Sequence, residues 1–187
     1  MTAIEILLQE HRVIERVLYA LEIAADHLDR GHPVRAGFFL EAAEFIAGFA
    51  DGCHHRKEEG VLFDAMVVSG VPATGGPIDM MLDEHQQARA LTRQLRDGAL
   101  RLEASDADAP PQIVRAARRY VALLRDHIEK EDEMLFPMAD EMLTSAQQEE
   151  ILRGFGRIEH GEAESGLHER FLALAQKLER EAAALTT

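Results

Sequence analysis

The sequence of 187 residues lacks tryptophan and contains only one cysteine, Cys53. A single cysteine cannot form an internal disulfide, so a reducing compartment is expected. No stretch approaches the ~18 consecutive apolar residues that span a bilayer. The N-terminus has neither the basic start nor the apolar run of a signal peptide. We therefore predict a cytoplasmic protein that does not enter membranes.

Positive charge is also scarce, with 20 Lys and Arg residues against 34 Asp and Glu residues and a formal net charge of -14. Nucleic acid and anionic lipid would be repelled by such a chain, so neither is an expected partner. Apolar residues make up 47% and charged residues 29% of the sequence, as in ordinary globular proteins. The length suits one domain, a monomer or a homodimer, and the many Ala, Leu, Glu and Arg residues favour helix.

Apolar residues at helical spacing predict four long helices over about residues 2–29, 33–68, 78–103 and 112–141. Thr2, followed by Glu5, predicts a capping box at the first of them. The breaks at residues 31–33, 69–77 and 104–111 contain glycine or proline, and the last is predicted to be a polar loop closed by prolines. Short connections between long helices predict an all-α, up-down-up-down antiparallel four-helix bundle.

The C-terminal segment, about residues 145–184, is also helical in pattern but contains four glycines, Gly154, Gly156, Gly161 and Gly166. Glycine disfavours helix interiors, so this segment is interpreted as two additional helices with a bend. No strand pattern competes. The whole chain, 1–187, is thus predicted to be one domain, with a core bundle of about residues 2–142 and a C-terminal helical extension of about residues 145–187.

An internal repeat is the strongest feature of the sequence. The stretch HHRKEEGVLFDAM, beginning at His54, matches HIEKEDEMLFPMA, beginning at His127, at an offset of 73 residues. Upstream, LQEH ends at His11 and LDEH ends at His85, at an offset of 74. The chain therefore resembles two copies of a helical hairpin, each with one His followed later by His-x-x-x-Glu.

This pattern predicts a metal site. A His and a Glu four residues apart lie on one helix face and can reach the same metal cluster. Folding the hairpins about their turns brings all six repeated side chains to one level, within about one helical turn at ~1.5 Å per residue. Without a metal, six buried polar groups would carry a heavy desolvation cost. The predicted ligands are His11, His54, Glu58, His85, His127 and Glu131.

These residues resemble those of the hemerythrin-like proteins of the HHE cation-binding type, whose pattern is His, His-x-x-x-Glu, His, His-x-x-x-Glu. The Leu-Phe pair after each Glu, as in Leu62-Phe63, is also typical of the family. The resemblance implies two iron ions joined by carboxylates and by an oxo or hydroxo bridge. Manganese or zinc would also suit mixed imidazole and carboxylate ligation.

The third predicted helix departs from that of oxygen-carrying hemerythrin, which has a His-x-x-x-His pair there. His85 is instead flanked by Met81 and Arg89 at these spacings. Four His, two bridging Glu and one bridge fill about ten of the twelve positions of two six-coordinate ions, which leaves two. Side chains of the protein could close them: His160 first, then His55 and Glu59, and also Glu84, Glu159 and Glu162.

His55 lies one residue off the ligand face, so it is interpreted as a core residue or as a residue behind the ligands. Glu59 aligns with Asp132 and is interpreted as solvent-facing or behind the ligands. Tyr120, on the face of His127, is interpreted as a core residue.

Open coordination positions suit a non-haem di-iron protein that binds or reacts with O2, peroxide or nitric oxide in an oxidative or nitrosative stress response. The alternative is an iron or oxygen sensor, or an iron store, without turnover. A helical protein without metal is the third reading, which the repeat disfavours. The sequence leaves open whether the chain is an enzyme, and it points to no electron donor.

Overall fold

The computed structural model describes residues 1–163 and 166–186, and the side chains of residues 160–163 are outside the description. Across these residues the chain is all-helical, with six helices and no strand. Four are regular or nearly so: α1 is Ala3–Asp29, α3 is Pro77–Glu103, α5 is Ser145–Ala163 and α6 is Leu167–Ala184. The other two, α2 over residues 36–68 and α4 over residues 109–142, combine segments of different helical type.

The helix boundaries follow the local sequence closely, with one correction. The capping box is present, because the Thr2 side chain accepts a hydrogen bond from the Glu5 N–H and the Glu5 carboxylate accepts one from the Thr2 N–H. The predicted loop over residues 104–111 is too long, since α4 already begins at Ala109. The N–H groups of the first helical turn form no hydrogen bonds within the helix, so proline, which has no N–H, is tolerated there. Pro110 and Pro111 therefore lie in the first turn of α4 instead of preceding it.

Helices α2 and α4 change from α- to π-helix at the repeated metal-binding motif. Helix α2 runs as α-helix over Ala36–Phe45, π-helix over Ile46–His55 and Glu58–Leu62, and α-helix over Phe63–Val68. Helix α4 runs as α-helix over Ala109–Lys130, π-helix over Glu131–Leu135 and α-helix over Phe136–Met142. The wider turns of π-helix are often found at functional sites.

The helices pack so that a polar layer is left between two apolar clusters. Helix α1 contacts α4, α4 contacts α3 and α3 contacts α2, while α6 covers α1 and α2. One cluster contains Leu18, Phe39 and Leu95, and the other contains Leu7 and Phe136. Along each of the four long helices, the predicted ligands fall where the chain passes from one cluster to the other.

The C-terminal segment forms two helices with a break between them, as predicted. Gly154 of α5 lies against α2 so closely that a Cβ atom there would be 2.6 Å from Val61 Cγ1. Gly166, with φ of 64°, precedes α6 in a left-handed conformation that favours glycine. None of the helices in the described ranges is long and apolar enough to cross a membrane.

Candidate metal centre

The six side chains predicted as metal ligands meet inside the polar layer. They come from all four long helices: His11 from α1, His54 and Glu58 from α2, His85 from α3, and His127 and Glu131 from α4. Each is at most 1% exposed. Four imidazoles and two carboxylates would not be buried together without compensation, because desolvation disfavours polar groups that lack partners.

The ligand atoms fall into two overlapping groups, in each of which they lie within 4.8 Å of one another and could hold a metal ion. The two-histidine half consists of His11, His54, Glu58 and Glu131. The three-histidine half consists of His55, Glu58, His85 and His127. Glu58 belongs to both, so a carboxylate already stands between the two positions.

Both carboxylates face imidazoles from each half. Glu58 Oε1 is 3.2 Å from His54 Nε2, and Glu58 Oε2 is 3.6 Å from His85 Nε2. Glu131 Oε2 is 3.2 Å from His11 Nε2 and 3.3 Å from His127 Nε2. Each carboxylate therefore lies between an imidazole of one half and an imidazole of the other.

The inward atoms fit a metal ion better than they fit one another. Within the described residues, no hydrogen bond reaches Nε2 of His11, His54 and His55 or either carboxylate oxygen of Glu58 and Glu131. Two nitrogen ligands about 2.1 Å from one metal at a right angle would lie about 3 Å apart. His85 Nε2 and His127 Nε2 are 3.1 Å apart. A metal ion would bind buried nitrogen and oxygen atoms at such spacings.

A ring of carboxylates surrounds the imidazoles and fixes their orientation. The Nδ1 atoms lie at hydrogen-bond distance from one carboxylate each: His11 from Asp132 at 2.6 Å, His54 from Glu10 at 3.0 Å, His55 from Asp51 at 3.3 Å, His85 from Glu59 at 2.7 Å and His127 from Glu84 at 2.9 Å. An ionised carboxylate only accepts, so Nδ1–H must donate. The lone pair then lies on Nε2, which points inward as a metal-binding nitrogen.

Cations complete this ring from outside. Lys57 pairs with Glu10, Lys130 with Glu84 and Arg12 with Asp132. Arg89 Nη2 lies 2.6 Å from Glu59 Oε1 and 2.7 Å from Asp51 Oδ1. The arrangement is repeated, because the Lys57–Glu10 pair matches the Lys130–Glu84 pair at the offsets found in the sequence.

The electrostatics of the protein favour positive charge at the centre. Burial lowers the pKa of His54, but the Glu58 and Glu10 carboxylates outweigh it and raise this pKa to about 10. Burial likewise opposes the effect of Glu131 and Glu84, which raise the pKa of His127 to about 9. Groups that attract protons this strongly also attract metal cations, and metal binding would displace those protons.

Around the imidazoles, the outer carboxylates are held ionised. Burial raises the pKa of Asp51, but hydrogen bonding with His55 and Arg89 outweighs it and lowers this pKa to about 2. The pKa of Glu10 is likewise lowered, since His54 and Lys57 outweigh the desolvation that burial imposes. Ionised acceptors keep the Nδ1 protons in place, which supports one tautomer for each ring.

His55, which the sequence analysis named as an additional ligand candidate but interpreted as a core residue or a residue behind the ligands, lies among the inward side chains. Its ring stacks on that of His85 with centroids 3.8 Å apart, and burial lowers its pKa well below the usual value. In an α-helix, successive residues differ by about 100° around the axis, so the neighbour of an inward His54 would point away. The wider π-helical turn reduces this angle, which lets both residues face the centre.

The other additional candidates lie away from the inward ring or outside the description. Glu59 and Glu84 contact Nδ1 atoms from behind the imidazoles, and Glu159 accepts a hydrogen bond from Lys57 Nζ at 2.6 Å. His160 and Glu162 belong to the residues whose side chains are not described. Tyr120 is fully buried, and its hydroxyl forms no hydrogen bond with any described group.

Sequence reasoning offered a position behind the ligands only for Glu59 and His55 and missed the rest of the outer ring, although the repeat contained a signal for it. Glu10 and Glu84 directly precede the matched histidines His11 and His85 in LQEH and LDEH. Lys57 and Lys130 match as well. Equivalent charged residues in both copies indicate a shared role, which the structure identifies as support for the imidazoles.

An all-helical chain with buried histidines and carboxylates at the junction of four helices has the features of a helical cation-binding domain. The hemerythrin HHE cation-binding domain matches residues 2–139, which is most of the chain. The chain therefore belongs to this family, and the resemblance noted from its motifs is confirmed.

Relatives of this chain occur in mycobacteria. They include Uncharacterized protein Mb2018 of Mycobacterium bovis and Uncharacterized protein Rv1995 of Mycobacterium tuberculosis. Each is 24% identical over 159 residues, which cover 85% of this chain and 62% of the relative. The chain thus spans less than two thirds of the length of these relatives.

Proposed function

We propose that this chain is a non-haem di-iron protein that binds or reacts with O2, peroxide or nitric oxide in an oxidative or nitrosative stress response. The observation that carries the proposal is the inward set of Nε2 and carboxylate atoms without hydrogen bonds among the described residues. The family adds that such a domain binds cations. A pair of carboxylates between two groups of imidazoles favours two ions over one.

We further propose a specific division of the ligands. His11 and His54 hold one ion, His85 and His127 hold the other, and Glu58 and Glu131 join the two. His55 is proposed as a fifth imidazole, in the three-histidine half, because its Nε2 is buried and within reach of the same group. His55 would fill one of the two coordination positions that the ligands predicted from the sequence leave open. The remaining open coordination position is assigned to the ion in the two-histidine half.

Iron is the proposed metal, although manganese or zinc would also accept these nitrogen and oxygen ligands. Iron bound here would supply a redox-active Lewis acid for a small ligand. The residues of the chain do the rest: the outer carboxylates orient the imidazoles, and the apolar clusters above and below keep water from the centre. Only small molecules suit a site whose ligands are this deeply buried.

The remaining proposals concern the molecule as a whole. The contacts of α1 with α4, α4 with α3 and α3 with α2 support an up-down-up-down antiparallel bundle, with α5 and α6 as an extension of a single domain over residues 1–187. The single cysteine supports a cytoplasmic location, and the acidic charge supports the absence of nucleic-acid partners. The chain is proposed to act as a monomer or homodimer.

The test is metal analysis and an optical spectrum of protein expressed with iron, followed by measurement of peroxide consumption. We expect two irons per chain, charge-transfer absorption in the near ultraviolet, and peroxide consumption that His54→Ala abolishes. The matched control is His32→Ala, which removes an exposed histidine far from the centre. One zinc per chain, or no metal, would contradict the proposal.

The same experiment separates the alternative function. Two irons per chain with a spectrum that responds reversibly to O2 or nitric oxide, but without peroxide consumption, would indicate a sensor and not a protein that reacts with its ligand. Iron loading far above two per chain would indicate storage.

A further inference from the structure

A cavity of about 210 Å³ lies between α2 and α3, directly beside the three-histidine half of the candidate centre. Its charged and aromatic lining consists of Asp51, His55, Arg89, Arg93, Arg96 and Tyr120. The rest of its wall is formed by small or apolar side chains and by Thr92, whose hydroxyl donates a hydrogen bond to the Ala88 carbonyl. One molecule of water occupies about 30 Å³ of liquid, so the space could hold a small organic ion together with some water.

The buried part of the cavity wall contains a polar atom without a partner. Tyr120 lines the cavity and is completely buried, yet its hydroxyl forms no hydrogen bond with any group that the structure describes. Burial, and to a smaller extent the Asp51 charge, raises the pKa of Tyr120, so its hydroxyl keeps its proton and remains a donor. A buried donor without a partner in the wall of a cavity indicates a polar ligand.

The outer end is positively charged, in contrast to the protein as a whole. Arg93 and Arg96 are exposed at the rim, and neither forms an ion pair within the described parts of the chain. Arg89 lies deeper and pairs with Asp51, the acidic residue of the lining, and with Glu59. With three guanidinium groups against one carboxylate, the cavity would attract anions even though the net charge of the chain is -14.

The internal repeat shows that this polarity is not a property of the scaffold. At an offset of 74 residues, the positions of Arg89, Arg93 and Arg96 correspond on α1 to Glu15, Tyr19 and Glu22. At an offset of 73, the positions of Asp51 and His55 correspond on α4 to Leu124 and Ile128, which are buried in the apolar core. The basic rim on α3 and the polar floor on α2 therefore have no counterpart at the equivalent positions of α1 and α4.

We propose that this cavity is a binding site for a small carboxylate or oxyanion, held by the arginines of α3 and by the Tyr120 hydroxyl beside His55. Guanidinium groups match the planar oxygen pairs of such anions, and a phenol donates one further hydrogen bond. Binding of the anion does not depend on the proposed metal centre. Its consequence rests on the proposed function, because an anion bound here contacts His55 and through it alters the three-histidine half.

Isothermal titration calorimetry at low ionic strength tests the site, with acetate as the probe and acetamide as its uncharged counterpart. The full chain is used as purified from iron-supplemented cells, and its metal content is measured in parallel. We expect acetate to bind and acetamide to bind at least about tenfold more weakly. We also expect acetate, at saturation, to shift the optical spectrum of the iron-loaded chain.

Variants locate the binding. Arg93→Gln combined with Arg96→Gln should weaken acetate binding about tenfold, and Tyr120→Phe about fivefold. The control combines Arg115→Gln with Arg119→Gln, which removes two exposed arginines of α4 outside the cavity and should leave the affinity unchanged. Circular dichroism confirms that each variant is folded.

Three results would overturn the inference: equal affinity for acetate and acetamide, an affinity that the Arg93 and Arg96 substitutions leave unchanged, or an equal loss in the control. Acetate bound directly to iron would produce the second of these. If acetate binds as expected to a chain that contains no iron, the anion site stands and the proposed function fails. If two irons are present but the variants have no effect on acetate binding, the proposed function stands and the anion site fails.

Discussion

The two halves of the candidate centre derive from one repeated hairpin but differ in what surrounds them. Each half contains the two repeated histidines of one hairpin, and each has a glutamate and a lysine behind one of these imidazoles. Only the three-histidine half adds His55, with Asp51 behind it. Both residues come from α2, the helix that carries His54, and their equivalents on α4, Ile128 and Leu124, pack into the apolar core.

This difference shows how a duplicated scaffold can support unequal metal positions. The π-helical segment of α4, Glu131–Leu135, matches Glu58–Leu62 of α2 at the repeat offset. Helix α2 has a second π-helical segment, Ile46–His55, which ends at the additional histidine. The wider turns of α2, together with two substitutions, bring His55 to the candidate centre and give the cavity between α2 and α3 a polar wall.

Removal of the metals should have the largest effect, because both halves lose the charge that balances Glu58 and Glu131. A ligand at 1,000 times its dissociation constant stabilises a fold by about 4 kcal/mol, which for a chain of this size corresponds to about 10 °C in Tm. Differential scanning calorimetry before and after chelation measures the change. An unchanged Tm would show that the polar layer is stable without metal.

Glu58→Ala should have the next largest effect, since this carboxylate belongs to both halves. We expect less than one iron per chain by metal analysis, because each position loses a ligand and the negative charge that attracts a cation. Glu149→Ala, at an exposed site on α5, is the control and should keep the full content. Two irons in Glu58→Ala would contradict a bridging role.

His54→Ala and His55→Ala compare the halves directly. His54→Ala removes one of only two imidazoles from its half, so we expect about one iron per chain. His55→Ala leaves two imidazoles in its half, so we expect two irons, with binding weakened at least about tenfold and an altered optical spectrum. Competition with a chelator measures the affinities. Equal iron contents in both variants would remove the proposed asymmetry.

The smallest expected effect is the difference between Glu10→Gln and Glu84→Gln in the free energy of unfolding. Glu10 pairs with Lys57, which is 0% exposed, whereas Glu84 pairs with Lys130, which is 28% exposed. Loss of a partner from a buried pair costs about 3 kcal/mol, but from an exposed pair about 1 kcal/mol or less. Urea unfolding measures both free energies. A larger loss of unfolding free energy in Glu84→Gln than in Glu10→Gln would contradict this prediction. It would mean that Glu159 alone is a sufficient ion-pair partner for Lys57.

Much of the structure could be predicted because its signals are local or repeated. The capping box at Thr2, the end of α2 at Val68 and the break before α6 depend on neighbouring residues, and the sequence analysis predicted them closely. The six proposed ligands could be brought together from helix lengths and the repeat alone. The start of α4 was wrong by a few residues, because prolines can either end a loop or open a helix.

The sequence by itself determined the all-helical class, the helix order and the repeated His and Glu positions, because helical periodicity and an internal duplication are written in the order of residues. Only the tertiary structure decided that His55 faces the centre, that each of the five Nδ1 atoms meets a carboxylate, and that a basic cavity lies between α2 and α3. These features depend on π-helical turns and on the distances between helices, to which residues far apart in the chain contribute together.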